Sequence, residues 1–364
     1  IIDVSSILPS DIFNFGYDCI ESVIEMEDPD IIFIFNDAHV ICNFLEKIDA
    51  KRNVVVYLDQ LYENQNNKYM EMINSRCKHI FTFSDNWNNI LRRYNITIPS
   101  SVIKHGVNRS VIKEINRSEN RKKLEISEDS IIFLNMNRNT SRKRIDITIM
   151  AFCRLFKKQP NKKFNLMLVC NNDGVNDCGW NLNEIIKHQC YILGIDETEI
   201  NERVLFVKNF NNMSDKEINI IYNICDIGLN SCTGEGVGLC NLEHGSLGKP
   251  QITNAVGGLV DFVKEDMSFP IKSVYNCYMN SSNLGGYESY IDPEDMAKAM
   301  EKYIIVPELI KIHGERLRKH INENFTISFD SASAFLSTAN GLVPKYAASA
   351  TKTNPYPQSP RIIP

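Results

Sequence analysis

Runs of β-branched and aromatic residues alternate with stretches of helical periodicity along most of this chain, and no other feature constrains its fold as much. Strands joined by helix-length connections lie parallel, with the helices packed on the sheet faces. A first set of strands is expected at 31–35, 54–58, 79–83 and 102–104, the run Ile31, Ile32, Phe33, Ile34, Phe35 reading as a buried strand. A second set is expected at 131–136, 164–170, 204–207, 227–230 and 251–253, with helices at 144–157, 182–193, 215–225, 239–247, 294–303 and 309–323. Local signals mark several helix starts. Ser84 is a candidate N-cap for a helix over 85–94, Ser214 and Glu217 make a capping-box pair, and Asp292 before Pro293 suits a cap and first turn.

Two such sets in 364 residues imply two α/β domains. The first is expected over 1–115, followed by a polar, poorly periodic linker over 116–130 and a second domain over 131–308. C-terminal helices follow over 309–344, one of them a small-residue helix at 331–339, and an Ala-, Thr- and Pro-rich flexible tail over 345–364.

Rossmann-like sheets bind ligands beyond the carboxyl ends of their strands. After the strand at 227–230, Gly234, Glu235, Gly236, Val237 and Gly238 lead into a helix that contains Glu243, so seven residues separate the two carboxylates. Glycines at a strand-to-helix turn let backbone approach a ligand, and the helix N-terminus offers free N–H groups to an anion. Glu243 lies about two helical turns below Glu235, near the same face, so the two can hold opposite ends of a polyhydroxylated anion.

Bulk properties narrow the classes. A net charge of −5 gives no global drive toward nucleic acid. The basic run Arg121, Lys122, Lys123 reads as a solvated face, and no apolar run approaches the length of a membrane-spanning helix. The 11 cysteines are scattered, with no C-x-x-C pair, which argues for buried, reduced thiols and a cytoplasmic setting over zinc or disulfide frameworks. There is no Walker-type phosphate loop and no Ser/His/Asp arrangement.

The stretch from Ser231 to Pro250 resembles the E-x7-E signature of retaining nucleotide-sugar glycosyltransferases, most closely glycosyltransferase family 4. Glu235, Gly236, Gly238, Leu239, Leu242, Glu243, Gly248 and Pro250 fall in the family's places, while Ser231 is displaced by one residue and His244 replaces a small residue. The resemblance implies the GT-B fold, two Rossmann-like domains facing across a cleft, with the last helices crossing back to the first domain. By that standard the first domain is short at its N-terminus, and Gly16 is the only glycine before Gly106, so either truncation or a reduced acceptor domain is expected there.

The resemblance also implies roles. Arg138 and Lys143, five residues apart, would grip the donor diphosphate and stabilise its growing charge, with Glu235 on the sugar. Glu243 would hold the ribose hydroxyls, and backbone N–H groups of Gly236, Val237, Gly238 and Leu239 would meet sugar or phosphate oxygens. Asn209 and Phe210 are candidates for the base, and Gly257 for a loop near the diphosphate. On the acceptor side, Asn36, Asp37 and His39 follow the first strand, and His105 closes the first domain near the cleft. With no D-x-D in the expected place, no metal or other cofactor is expected. The donor expected is a UDP- or GDP-hexose and the acceptor a glycan or glycoconjugate, with no nucleic acid partner and membrane contact left open. A non-catalytic sugar-nucleotide or glycan-binding module, and a GT-B phosphorylase or epimerase, remain alternatives.

Overall fold

The computed structural model describes residues 15–171, 179–207, 212–279 and 284–325. Its first lobe contains α1 (Ile20–Glu27), β1 (Ile32–Asp37), α2 (Ala38–Lys47), β2 (Val54–Asp59), β3 (Glu63–Gln65), α3 (Asn67–Arg76), β4 (Cys77–Thr82), α4 (Asp85–Leu91) and β5 (Ser100–Val102). A short helix α5 (Arg117–Lys123) leads to the second lobe: β6 (Ile131–Asn135), α6 (Ile145–Lys158), β7 (Phe164–Leu168), α7 (Leu182–Leu193), α8 (Glu197–Asn201), β8 (Val204–Phe206), α9 (Asp215–Ile224), β9 (Ile227–Asn230), α10 (Leu239–Gly245), β10 (Gln251–Asn254), α11 (Leu259–Phe262) and β11 (Phe269–Ile271). The strands β12 (Tyr275–Tyr278) and β13 (Gly285–Tyr290) precede the helices α12 (Pro293–Ile305) and α13 (Glu308–Asn324).

Each lobe is built on a parallel sheet, in the order β1-β2-β4-β5 in the first and β11-β10-β9-β6-β7-β8 in the second. The α/β alternation in the sequence therefore becomes two Rossmann-like units. In the first, Ile32, Ile34 and Val56 pack against Ile24, Ile41, Leu45 and Ile73 from the helices. In the second, one sheet face meets α6, α7 and α12, while the other meets α9, α10, α11 and α13. That second core also contains Phe83, Trp87, Ile90 and Val107 from the first lobe, so the lobes share apolar packing where they meet.

The caps expected at Ser84, Ser214 and Asp292 are present. Ser84 Oγ accepts the Trp87 amide, Ser214 and Glu217 satisfy each other as a capping box, and Asp292 accepts the Glu294 amide ahead of Pro293. Three readings change. The run over 31–35 is buried on one face only: Ile32 and Ile34 face α1–α3, whereas Phe33 and Phe35 are 43% and 51% exposed. The cause is that β1 is the edge strand and those helices lie on the opposite face. The supposed linker carries α5, and Arg121 is fully buried instead of solvated. Its guanidinium donates to the carbonyls of Ile224, Ser127, Glu128 and Ser130 and pairs with Asp226 at 2.7 Å.

Finally, a three-stranded sheet that periodicity did not announce joins the lobes: β13 pairs antiparallel with both β12 and β3, placing Gly285 against Gln65 and Tyr287 against Glu63. The helix expected at 331–339 and the tail lie outside the described residues, as do residues 1–14. Among the described residues no helix is long and apolar enough to cross a membrane.

Arg121 ties three backbone segments to one buried cation, so removing it strands Asp226 and several carbonyls. Arg121→Ala should lower unfolding free energy by about 3–5 kcal/mol in chemical denaturation. A loss below about 1 kcal/mol would mean that water replaces the guanidinium at no net penalty.

Candidate active site

The site is built from two turns at the carboxyl edge of the second sheet. The chain leaves β9 at the buried Asn230 and runs through residues 231–238, all buried, into α10. Beside it, the chain leaving β6 forms a single 3-10 turn, Ser141–Lys143, and Arg144 in a left-handed conformation (φ 48°) redirects it into α6. The turns are laced together: the Thr233 amide donates to the Arg142 carbonyl at 2.9 Å, and Arg142 Nη1 donates to the Gly234 carbonyl at 2.6 Å.

This lacing sets Glu235, which is only 7% exposed, against two cations. Lys143 Nζ pairs with Oε2, Arg142 Nη1 lies 3.7 Å from Oε1, and Asn230 Nδ2 donates to Oε2 at 3.4 Å. Burial pushes the carboxyl up, but Lys143 and then Arg142 outweigh it, leaving Glu235 below the ordinary carboxylate value. Behind it, Gly257 (φ 53°) must be glycine, because an added Cβ would stand 1.7 Å from the Glu235 carbonyl oxygen.

The first lobe closes over these turns. Trp87 Nε1 donates to the Gly236 carbonyl at 3.1 Å, and Asn86 Nδ2 to the Gly257 carbonyl at 2.9 Å. The Asp261 carboxylate accepts the amides of Asp85 and Asn86 at 2.8 and 3.2 Å, capping the first-lobe helix α4 from the second lobe. Between the lobes lies a cavity of about 410 Å³. Arg142, Lys143, Glu235, Gly236, Val237, Gly238 and Leu239 wall it from one side, and Phe35, Asp59, Phe83 and His105 from the other. An adjoining cavity of about 290 Å³ shares Asn137, Arg142, Lys143 and Cys240 with it and adds Arg138.

The structure thus brings Lys143, Glu235, the 236–239 backbone and His105 to one space. Arg138 is exposed at its rim, its guanidinium without a hydrogen bond or ion pair to a described residue. Glu243 does not wall the cavity. It accepts a hydrogen bond from Tyr222 at 2.8 Å, and burial raises its carboxyl despite that bond. His105 stacks on Tyr57 (5.8 Å, 23°), and burial lowers its pKa.

Asn36, Asp37 and His39 stand outside the wall. Asn36 Oδ1 accepts the Asp37 amide at 2.9 Å, while Asp37 Oδ1 and His39 Nδ1 are buried without a partner. Asn209 and Phe210 lie outside the described residues. His244, the odd residue of the signature, is a packing group. It stacks on Tyr222 (5.6 Å, 25°), and burial drives its pKa down to about 3, so it is neutral. Among the described residues no group of three or more His, Cys, Asp or Glu is placed to hold a metal ion.

Sequence reasoning passed over Arg142 and Asp59. Arg142 stood in the same basic run as Lys143. Asp59 ends the apolar run of β2, and a charge at the carboxyl end of a parallel strand was the available signal. A larger cavity, about 770 Å³, lies among α5, β8 and α9. Its described walls are aliphatic and aromatic apart from Asn212 and Glu217, and Glu217 is engaged in the Ser214 capping box, so no cation stands among the described residues that line it.

Two Rossmann-like lobes meeting at such a cleft define the GT-B fold, and solved structures agree. The chain superposes on the sucrose-phosphate synthase of Thermosynechococcus elongatus with a TM-score of 0.65 at 16% identity, covering 92% of this chain and 78% of that one. It superposes on Anabaena HepE in complex with UDP and glucose with a TM-score of 0.65 at 14% identity, covering 93% and 84%. Residues 116–273, which carry both turns of the site, match the family model of glycosyl transferases group 1. The alpha-monoglucosyldiacylglycerol synthase of Streptococcus pneumoniae (strain ATCC BAA-255 / R6) is 25% identical over 243 residues, 64% of this chain and 48% of that protein. The chain therefore spans about half the length of this curated relative.

Glu235→Gln keeps the shape and removes the charge. Because the folded carboxyl lies below its ordinary 4.5, its stabilisation is complete above that pH and is lost as pH falls through the lower folded value. Thermal melts should show E235Q less stable than wild type by on the order of 3 kcal/mol at neutral pH. The gap should stay constant down to about pH 5 and narrow below it.

Proposed function

We propose that this chain is a retaining glycosyltransferase of family 4 that moves a hexose from a nucleotide diphosphate sugar to a hydroxyl of a glycan or glycoconjugate, without a metal ion. The observation that carries this reading is the buried Glu235 held by Lys143 and Arg142 at an inter-lobe cavity. A diphosphate leaving group gathers negative charge as the glycosidic bond breaks, and cations already fixed in a water-poor cleft stabilise that charge more than the ground state.

In this reading Lys143, Arg142 and Arg138 take the diphosphate, while Glu235 holds sugar hydroxyls and balances positive charge on the ring. The amides at 236–239 meet sugar or phosphate oxygens, and Glu243 holds the ribose. UDP is the favoured nucleotide, since similar structures include HepE with UDP-glucose and the pneumococcal O-GlcNAc transferase GtfA with UDP and GlcNAc. The name of the S. pneumoniae relative favours a glycoconjugate acceptor. The scattered cysteines, with no C-x-x-C pair, suit a reducing, cytoplasmic setting.

Thermal-shift titration with UDP-, GDP-, ADP- and dTDP-hexoses in the presence of a chelator tests the donor assignment, because a ligand of the folded state raises the midpoint by mass action. One nucleotide class should stabilise the wild type, and Glu243→Ala should lose that shift. Arg138→Ala combined with Lys143→Ala should lower turnover by about 100-fold or more. No shift with any donor, or unchanged turnover in the double variant, overturns the reading.

A further inference from the structure

The first lobe places a carboxylate in the cavity that the donor assignments leave unused. Asp59 ends β2, and Asp37 ends β1 beside it in register. Registered residues of neighbouring parallel strands project to the same side of the sheet, so two carboxylates stand together at its carboxyl edge. Asp59 walls the cavity with Glu235, and a Cβ added to Gly236 would come within 3.1 Å of Asp59 Oδ1. A half-buried carboxylate that shares a cavity wall with Arg142 and Lys143 would ordinarily be paired. The Asp59 carboxylate makes no hydrogen bond or ion pair with any described residue, and the neighbouring Asp37 Oδ1 is buried without a partner.

We propose that Asp59 is the acceptor-side catalytic residue, whose carboxylate accepts a hydrogen bond from the attacking hydroxyl and takes its proton, with Asp37 as a positioning residue that tunes it. This rests on the glycosyltransferase reading above. In the step, the acceptor O–H bond breaks and its proton passes to Asp59. The freed oxygen bonds to the anomeric carbon on the face that the diphosphate leaves, so the configuration is retained, and the bond from that carbon to the diphosphate breaks, its electron pair leaving with the nucleotide diphosphate.

The surroundings suit the task. Burial, then the Asp37 charge, push the Asp59 carboxyl up to about 6, with Arg142 opposing and Glu235 adding to the rise; Lys143, His105 and Cys240 complete the ionisable wall among the described residues. A carboxylate tuned toward neutral pH is a better proton acceptor than an ordinary one, which is too weakly basic.

The probe is UDP-glucose, with water and then glycerol as the hydroxyl acceptor, and release of UDP is measured against pH. Asp59→Asn should bind UDP-glucose within about twofold of wild type yet release UDP at least about 100-fold more slowly. The acid limb of the kcat/KM profile near pH 6 should vanish with it. Asp37→Asn should move that limb to lower pH, because a like charge that raises Asp59 is gone. UDP release within about threefold of wild type in D59N, or an unmoved acid limb in D37N, overturns the inference. Loss of UDP-glucose binding in a D59N protein that melts normally also overturns it, by making Asp59 a donor ligand. If wild type itself neither binds nor cleaves UDP-glucose, the donor reading beneath has failed, an outcome that needs no Asp59 variant to see.

Discussion

Glu235 is a carboxylate taken almost out of water, and a lone buried anion would either protonate or unfold its surroundings. Lys143 and Arg142 prevent both outcomes, and they can do so only because the 3-10 turn after β6 lies against the turn after β9. The order of the second sheet follows the same requirement: β6 and β9 are adjacent, so the ends of both strands meet at one edge. The charge pair, the strand order and the left-handed Arg144 are parts of one arrangement. It leaves two cations concentrated at a cleft, the local condition that phosphate chemistry uses.

The first lobe is fastened to that arrangement directly. Trp87 and Asn86 donate to the backbone of the two glycine turns, Asp261 caps α4 across the boundary, and Phe83, Trp87 and Val107 lie in the second lobe's core. The β3–β13 pairing adds a second connection. An opening motion has to leave this seam in place or break several hydrogen bonds and apolar contacts together. The site therefore presents both walls at once, basic groups from one sheet and aromatic and acidic groups from the other.

Much of this was legible in advance, and for local reasons. The caps at Ser84, Ser214 and Asp292 depend on neighbours within four residues, so residue order predicts them. Parallel sheets follow from apolar runs spaced by helices. The glycine turn with Glu235 was visible because close backbone approach leaves a compositional mark, and Gly257 shows why, with no room for a Cβ. The misreadings share one cause. Phe33 and Phe35 look like core from their hydrophobicity, but exposure depends on which sheet face the helices cover. Arg121 looks like solvent from its charge, but five acceptors converge on it, and those of Ile224 and Asp226 come from more than 100 residues away. The strands β12, β13 and β3 carry no apolar run, β3 being three polar residues and the other two mixing Tyr, Gly and polar residues, so only their partners define them.

The sequence by itself determined the elements, the two-lobed α/β plan and the strand-edge location of the glycine turn, because each is set by contacts a few residues apart. Tertiary structure alone decided which charges face one another. Lys143 and Glu235 are 92 residues apart in the chain, and a Coulomb interaction depends on distance in space, not on distance in sequence. It also decided that Glu243 binds Tyr222 outside the cavity wall, and that the Asp59 carboxylate stands unpaired inside it, raised by burial and then by a neighbouring Asp37 that belongs to another strand.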